Sequence, residues 1–467
     1  MSLHNARPAT AGRFLNRGER FLSLFTRIEA GEGRCIAILS LQAFALMVAW
    51  YLIRPVREAL ILTEGGAEFR SYAVAAQAAL LIVLVPLYGV LTRRADRIRA
   101  YQCVNAFFVL NLLAFWLLGR AGWQFGFAFF VWGSLFSVTA VTQFWAFATD
   151  LFDVKSGQRL FGLIAVGVSG GAWVGARIAS ATFDALGPYG LMLASAAALT
   201  IAIAISHGAR ASVPAHARSA SPEAEAAPAA GRGMRDWLGG FGVIARSPYL
   251  VGIAALVVLL NWITSTGDFV LLGWLVEVAR RDAPLDQAAY IGRFMADYCS
   301  AVTLVGFLVQ LLLVSRIIQV AGLARALMVT PLAFAAGYLL VGIVPAFLLL
   351  QSVLIVQRSF DYSLLNTTRH ALLLPASREV KYQAKTAIDT FFFRAGDLLS
   401  TASVLAGAML FDDPRLKLVW LIFVLSATMA TVAWLIGREY VRRYGTADGS
   451  LPDGKAGGSA PRAVLVQ

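Results

Sequence analysis

Arg54, Pro55, Val56, Arg57 and Glu58 stand together where the first long apolar run of the chain meets charge, and further ionisable residues punctuate the apolar runs that follow. They are Arg177, Asp268, Arg293, Asp297, Arg358, Asp361, Asp389, Arg394 and Asp397. A charge in hydrocarbon is expensive, so such residues usually serve a substrate or ion pathway. The planar fork of a guanidinium holds a carboxylate or phosphate with two parallel hydrogen bonds. Arg54, Arg57, Arg177, Arg358 and Arg394 are therefore candidate ligands of a small anion. For an arginine taken singly, anchorage of a helix end in the headgroup layer is the alternative. The acidic partners Glu58, Asp268, Asp297, Asp361, Asp389 and Asp397 have two readings. They are counter-ions that make the arginines tolerable, or protonatable groups that couple the site to a proton gradient. The spacing of Arg293/Asp297 and Arg358/Asp361 predicts pairing within each helix. Asp268 has no basic neighbour in its own helix and is the first candidate for proton coupling.

Other chemistries find little footing. Asp150 and Asp153 imitate a catalytic pair, but they border a basic loop with no histidine nearby, and the phosphate-loop pattern Gly-x-x-x-x-Gly-Lys-Ser/Thr is absent. Three cysteines and four histidines are scattered, which predicts no disulfide framework, no metal centre and no cofactor. An enzyme is not expected.

The elements that must position these charges follow from composition. The chain has 467 residues, 58% of them hydrophobic and only 14% charged, too little charge to cover a soluble surface of this length. An all-α polytopic membrane protein is expected. Runs of about 20 apolar residues suffice to cross a bilayer as helices. Twelve are found, at 35–53, 71–92, 101–119, 123–148, 159–181, 187–206, 248–275, 289–315, 322–343, 345–369, 385–411 and 416–437. No short apolar core precedes a cleavage site, so the first span is expected to double as the insertion signal. Phe14–Ile28 interleaves aromatic and aliphatic residues with arginine, the pattern of a helix on the membrane surface or of a basic tail.

The predicted units are a basic N-terminus (1–34), six helices (35–206), a linker (207–247) rich in Ala, Pro, Ser and Arg, six more helices (248–437) and a tail (438–467). Most of the 40 Lys and Arg fall in segments that would share one side if both termini were cytoplasmic, which predicts an N-in, C-in topology in a bacterial inner membrane. The net charge of +13 is then expected to face anionic lipid as its partner, not nucleic acid.

This six-linker-six layout resembles the major-facilitator plan, in which two pseudo-symmetric halves rock about a midplane site. Gly89 to Arg99, with Arg93, Arg94, Asp96 and Arg97, is similar to that superfamily's basic loop after its second span. A topogenic role alone is the other reading of those arginines. The halves echo each other: Phe144–Asp153 precedes a basic loop and a span with Gly167, Gly170, Gly171 and Gly175, while Asp361–His370 precedes a basic loop and a span with Gly396 and Gly407. Small residues of this kind let helices approach closely.

A narrower resemblance lies in three motifs. Ile53-Arg-Pro-Val-Arg-Glu58 with Gly65-Gly-Ala-Glu68 is similar to the Leu-Arg-Pro-Leu-Lys-Asp and Gly-Ala-Glu stretch of the ATP/ADP translocases of plastids and obligate intracellular bacteria. Phe144-Trp-Ala-Phe-Ala-Thr149, leading to Arg159-Leu-Phe-Gly162, resembles their Phe-Trp-Gly-Phe-Ala-Asn segment, and Lys385-Thr-Ala-Ile-Asp389 their Lys-Ala-Ala-Ile-Asp. The resemblance implies nucleotide exchange. Two positions depart from it: the family's lysine in span 11 falls at Asp397, reversing the charge, and Asn261–Thr266 lacks the family's carboxylate. Arg394 lies close enough to Asp397 to compensate.

The expected function is secondary active transport of an organic anion, a nucleotide or another phosphorylated or carboxylated metabolite, by exchange or proton coupling. A monomer is expected. A membrane sensor or assembly factor that keeps the fold without transporting is the alternative. Trp145, Trp262, Trp274 and Phe391 to Phe393 either stack on a base or sugar or pack against lipid and neighbouring helices.

Overall fold

The computed structural model describes residues 32–91, 97–151, 154–211, 240–373, 384–385 and 387–444. Phe14–Ile28, the loop arginines Arg93 and Arg94, Asp153, positions 212–239 of the linker and the tail from 445 onward lie outside them.

Among the described residues, helical stretches long and apolar enough to cross a membrane number eight. Two of these, Glu32–Leu84 and Leu160–Gly208, run for 53 and 49 residues, more than twice what one crossing needs. Each is folded back by one glycine, Gly66 (φ 71°) in the first and Gly187 (φ 64°) in the second. That left-handed conformation suits a residue without Cβ, and it lets a helix reverse direction without a loop. The resulting rods are α1 (32–65), α2 (67–91), α3 (Arg97–Arg120), α4 (Gly126–Leu151), α5 (154–186), α6 (188–211), α7 (Pro248–Asp282), α8 (Gln287–Leu312) and α9 (Val314–Ile343). After them come α10 (347–372), α11 (387–410) and α12 (Arg415–Tyr444). Gly322 (φ 75°) breaks α9 in the same way, leaving 314–321 as a short connecting helix and 323–343 as the span; with α9 counted once, the described residues form twelve rods, as the hydropathy pattern predicts. Helix α10 contains a π-helical turn at Asp361–Leu365, and α11 opens with another at Ile388–Phe392.

One boundary differs from expectation in a way that matters. Arg54–Glu58 does not end the first span: α1 continues about two turns beyond it, to Gly65. The apolar run Ala59-Leu-Ile-Leu62 that follows is buried, so the charged segment lies inside the bundle. Likewise α7 runs on to Asp282, which moves Asp268 away from the end of its helix.

Helix α5 lies against α1 through a stripe of glycines four residues apart. A Cβ added at Gly167 would stand 2.4 Å from the Ser40 carbonyl oxygen, and one at Gly171 only 2.3 Å from that of Phe44. At Gly175 it would meet Val48 at 2.9 Å. The partners also step by four, which is the meshing of i±4 ridges at the shortest range that small residues permit. Helix α11 uses one glycine against α7 in the same manner, a Cβ at Gly396 falling 2.6 Å from the Val258 carbonyl oxygen. These glycines set how closely α1 and α7 are approached, and so how the charges on those two helices are spaced. Gly407 meets Pro414 of the following turn instead.

Charged caps tie the ends. Glu64, just before the Gly66 turn, accepts from the amides of Phe125 (3.1 Å) and Gly126 (2.8 Å) at the start of α4, where the free N–H groups and dipole of a helix favour an anion. Asp286 caps α8 by accepting from Ala289 at 3.1 Å. Arg415 joins α12 to α7 through Glu277 at 2.5 Å.

Candidate functional site

Arginine side chains from α1, α2, α10 and α11 meet in the middle of the bundle around a cavity of about 180 Å³. Glu58 is the hinge of the arrangement. It is 2% exposed, and its two oxygens are divided between two cations: Oε1 accepts from Arg57 at 2.7 Å and Oε2 from Arg70 Nε at 2.6 Å. Arg70 reaches on to Asp268 of α7 at 3.7 Å, and Asp268 takes a 2.6 Å bond from Arg358 of α10. Five alternating charges, Arg57–Glu58–Arg70–Asp268–Arg358, thus form one ladder from α1 and α2 across to α7 and α10. Alternation is what makes it tolerable, since the buried Glu58 and the half-buried Asp268 each lie between two guanidinium groups.

Neutral groups hold the ladder in place. The Phe130 ring lies 4.3 Å from the guanidinium carbon of Arg57 and 5.4 Å from that of Arg70, a cation–π geometry that orients both. Arg57 also donates to Ser134 Oγ at 3.1 Å, and that hydroxyl donates in turn to Gln77. A second, separate pair closes the opposite wall: Arg394 meets Asp397 at 3.3 Å, and Ser265 donates to Asp397 at 2.6 Å. Asp397 is 5% exposed.

Arg54 differs from the rest. It lines the cavity and rests against Tyr51, whose hydroxyl accepts from it at 3.4 Å with the ring centroid 5.5 Å away. Its neighbours in the ladder are all engaged with carboxylates. Two further polar groups in the lining have no partner: Nε of Arg57 and the hydroxyl of Tyr298, itself 5% exposed.

The structure brings together Arg54, Arg57, Glu58, Asp268, Arg358, Arg394 and Asp397 at this cavity. Asp389 lies beside it, in a second cavity of about 220 Å³ that shares Phe393 and Arg394 as a common wall, and it pairs with Arg369 at 3.3 Å. Asp361 sits in the π turn of α10 and is not in the lining.

Arg177, Arg293 and Asp297 are elsewhere. The expected pair Arg293/Asp297 does not form: Arg293 bonds Asp184 of α5 at 2.8 Å, and Asp297 pairs with Arg177 of α5 at 3.4 Å and takes a 2.5 Å bond from Ser180. These side chains are about half exposed and stitch α5 to α8, around the close contact where a Cβ on Gly292 would strike the Phe183 ring. Arg177 is therefore removed from the set lining the cavity. The expected pair Arg358/Asp361 is also replaced, because Asp268 offers Arg358 a shorter contact from another helix. For the same reason Asp268 is not the isolated carboxylate that its own helix suggests.

Arg70 is the residue that sequence reasoning missed. It falls just before the apolar run of span 2 and reads as a loop arginine, yet α2 begins at 67 and Arg70 is 7% exposed. The Gly65-Gly66 pair was the available signal, since a turn there leaves no loop for Arg70 to occupy. Of the aromatic residues considered for stacking, Phe393 alone lines the cavity; Trp262 donates to Ser403 at 2.9 Å, Trp145 packs on Phe144 and Phe161, and Phe391 and Phe392 pack on Phe241.

No family model matches the sequence, and no curated protein matches it. Solved structures do. The chain is similar to the nucleoside transporter NupG (TM-score 0.60, 12% identity, 87% of this chain and 99% of that one). It is similar to a POT family transporter in complex with 5-aminolevulinic acid (TM-score 0.62, 13% identity, 87% and 96%). It is also similar to a bacterial homologue of the human lysosomal transporter Spinster, inward-facing and unoccupied (TM-score 0.58, 12% identity, 89% and 99%). The fold is the all-α, polytopic one that these transporter structures share.

Proposed function

We propose that this chain is a secondary transporter of an organic anion, working by alternating access. The observation that carries the reading is the cavity itself: a central chamber lined by five arginines against three carboxylates, inside a membrane transporter fold. An anion is the ligand that completes such a lining, and arginine forks suit carboxylate and phosphate alike. Nucleotides belong among the candidates through the motif resemblance at Ile53–Glu58 and Lys385–Asp389.

In this reading the units 35–206 and 248–437 rock against each other about the 207–247 linker, in a bacterial inner membrane with both termini cytoplasmic. The polar contacts between α5 and α8 gather toward the end of the bundle that carries the Gly187 and 283–286 turns. The second cavity, with Asp389 and Arg394, extends from the site along α11 toward the opposite end. In this reading the contacts between α5 and α8 close one side of the site, and the second cavity is its approach from the other. Asp268 serves as a joint between the units, through Arg70 on one and Arg358 on the other.

The test is uptake into proteoliposomes of radiolabelled anions, with and without a pH gradient. Saturable uptake of at least one phosphorylated or carboxylated anion is expected, and Arg57→Ala should reduce it at least tenfold. Parent-like rates in Arg57→Ala would remove the site assignment, and dependence on the pH gradient would distinguish symport from exchange. A second prediction concerns the sealed end. Arg293→Asp and Asp184→Arg are each expected to slow uptake several-fold. The double variant should recover most of the rate, because the contact requires opposite signs and not a particular order; no recovery would show that the pair plays no part in closure.

A further inference from the structure

We propose that the central cavity takes a small dianion, a short dicarboxylate or a phosphate monoester, and not a nucleoside polyphosphate. The inference rests on the transport reading above and narrows its substrate. Three observations on the same cavity carry it.

The first is charge. The lining holds five guanidinium groups and three carboxylates, an excess of two positive charges. The pair at the neighbouring cavity, Arg369 with Asp389, is self-compensated. Carrying a net charge across hydrocarbon is strongly unfavourable, so the ligand that makes the loaded chamber neutral brings two negative charges. A monoanion leaves one positive charge over, and a nucleoside triphosphate brings more negative charge than the lining can balance.

The second observation is size. About 180 Å³ falls short of the roughly 300–1,000 Å³ of pockets that hold drug-sized ligands. A compact anion suits such a chamber better than a base, a ribose and a phosphate chain together. Two of the four aromatic rings in the wall are already engaged, Phe130 by Arg57 and Arg70 and Phe393 by Arg394 at 5.1 Å.

The third is hydrogen bonding. A buried polar group without a partner is uncommon and asks for an explanation. Here the Tyr298 hydroxyl and Arg57 Nε are both buried and unpartnered, on two residues that line the cavity. Together with Arg54, which no carboxylate engages, they are donors that a small shift of the lining would turn to two small anionic groups.

The experiment uses the full-length chain in proteoliposomes with four labelled probes: succinate, glycerol 3-phosphate, lactate and ADP. Saturable uptake of succinate or glycerol 3-phosphate is expected at a rate at least tenfold above lactate and ADP, and the two dianions tell a dicarboxylate carrier from a phosphate-ester carrier. Arg54→Gln lowers the excess to one positive charge and should shift the ratio of dianion to lactate uptake at least tenfold toward lactate. Tyr298→Phe guards against misfolding, because the hydroxyl it removes has no partner in the empty protein. It is expected to keep the parent's melting temperature while raising the KM for the dianion several-fold. Preference for ADP or lactate would overturn the inference and leave anion transport standing. Uptake of none of the four would overturn the inference and leave the transport reading to the wider set of anions, and an unchanged KM in Tyr298→Phe would remove that residue from the site.

Discussion

Replacing Glu58 with glutamine is expected to destabilise the protein by about 3–5 kcal/mol, the range seen when one member of a buried ion pair is removed. The substitution changes almost no volume. What it removes is the charge that Arg57 and Arg70 share at 2.7 and 2.6 Å. Arg70 would keep Asp268, at 3.7 Å, and the Phe130 ring, and Arg57 would keep Ser134 and the same ring. Thermal unfolding in detergent should show a melting temperature lower by several degrees. The control is the double variant Glu58→Gln/Arg70→Gln. Removing a charge of each sign restores balance, so it should melt above Glu58→Gln alone. If the single variant melts like the parent, the ladder is not a buried network, and the positions of Arg57 and Arg70 have to be explained in another way.

Gly171→Val carries the second large effect, and it acts through the backbone. Its Cβ would lie 2.3 Å from the Phe44 carbonyl oxygen and 2.8 Å from the Phe44 Cα. Neither can move aside as a flexible side chain does, so α5 and α1 must separate. Overpacking usually costs about 1–3 kcal/mol, and a clash with main-chain atoms belongs at the upper end. Because Gly167 and Gly175 belong to the same stripe, the displacement is carried along α1 to the segment holding Arg54 and Arg57. Size-exclusion chromatography of the detergent extract should show a reduced monodisperse fraction, and Gly170→Ala is the matched control, since its Cβ finds only ordinary contacts at 3.8 Å. Equal behaviour of the two variants would mean that α5 and α1 tolerate a wider spacing.

The number and order of the helices were legible because hydrocarbon imposes a length of about 20 apolar residues on every crossing. The limits of that signal appear at Glu58 and Arg70. Hydropathy treats a charge as the end of a span, since it assumes that each charge must find water. In α1 the charge finds other helices instead, and the span continues past it to Gly65. Pairing was misjudged for a related reason. Spacing along one helix reveals only neighbours within that helix, which was sufficient for Arg394 and Asp397. It was insufficient for Arg293, Asp297 and Arg358, whose partners come from α5 and α7. Arg177 illustrates the converse. It has the residue type of a ligand and lies within a span, yet the face of α5 that carries it meets α8 and not the cavity.

The π turn at Asp361–Leu365 makes chain length itself a determinant of the site. Arg358 and Arg369 are eleven positions apart, close to three whole turns of an α-helix, and in a regular helix they would share a side. A π turn accommodates one residue more, which sets everything after it back by roughly 100°. Arg358 thereby meets Asp268, while Arg369 meets Asp389 on α11. Deleting one codon between 361 and 365 would leave composition and hydropathy almost unchanged, yet it would swing Arg369 toward the side that Arg358 occupies and strip Asp389 of its partner. In this stretch a one-residue gap is a change of electrostatics.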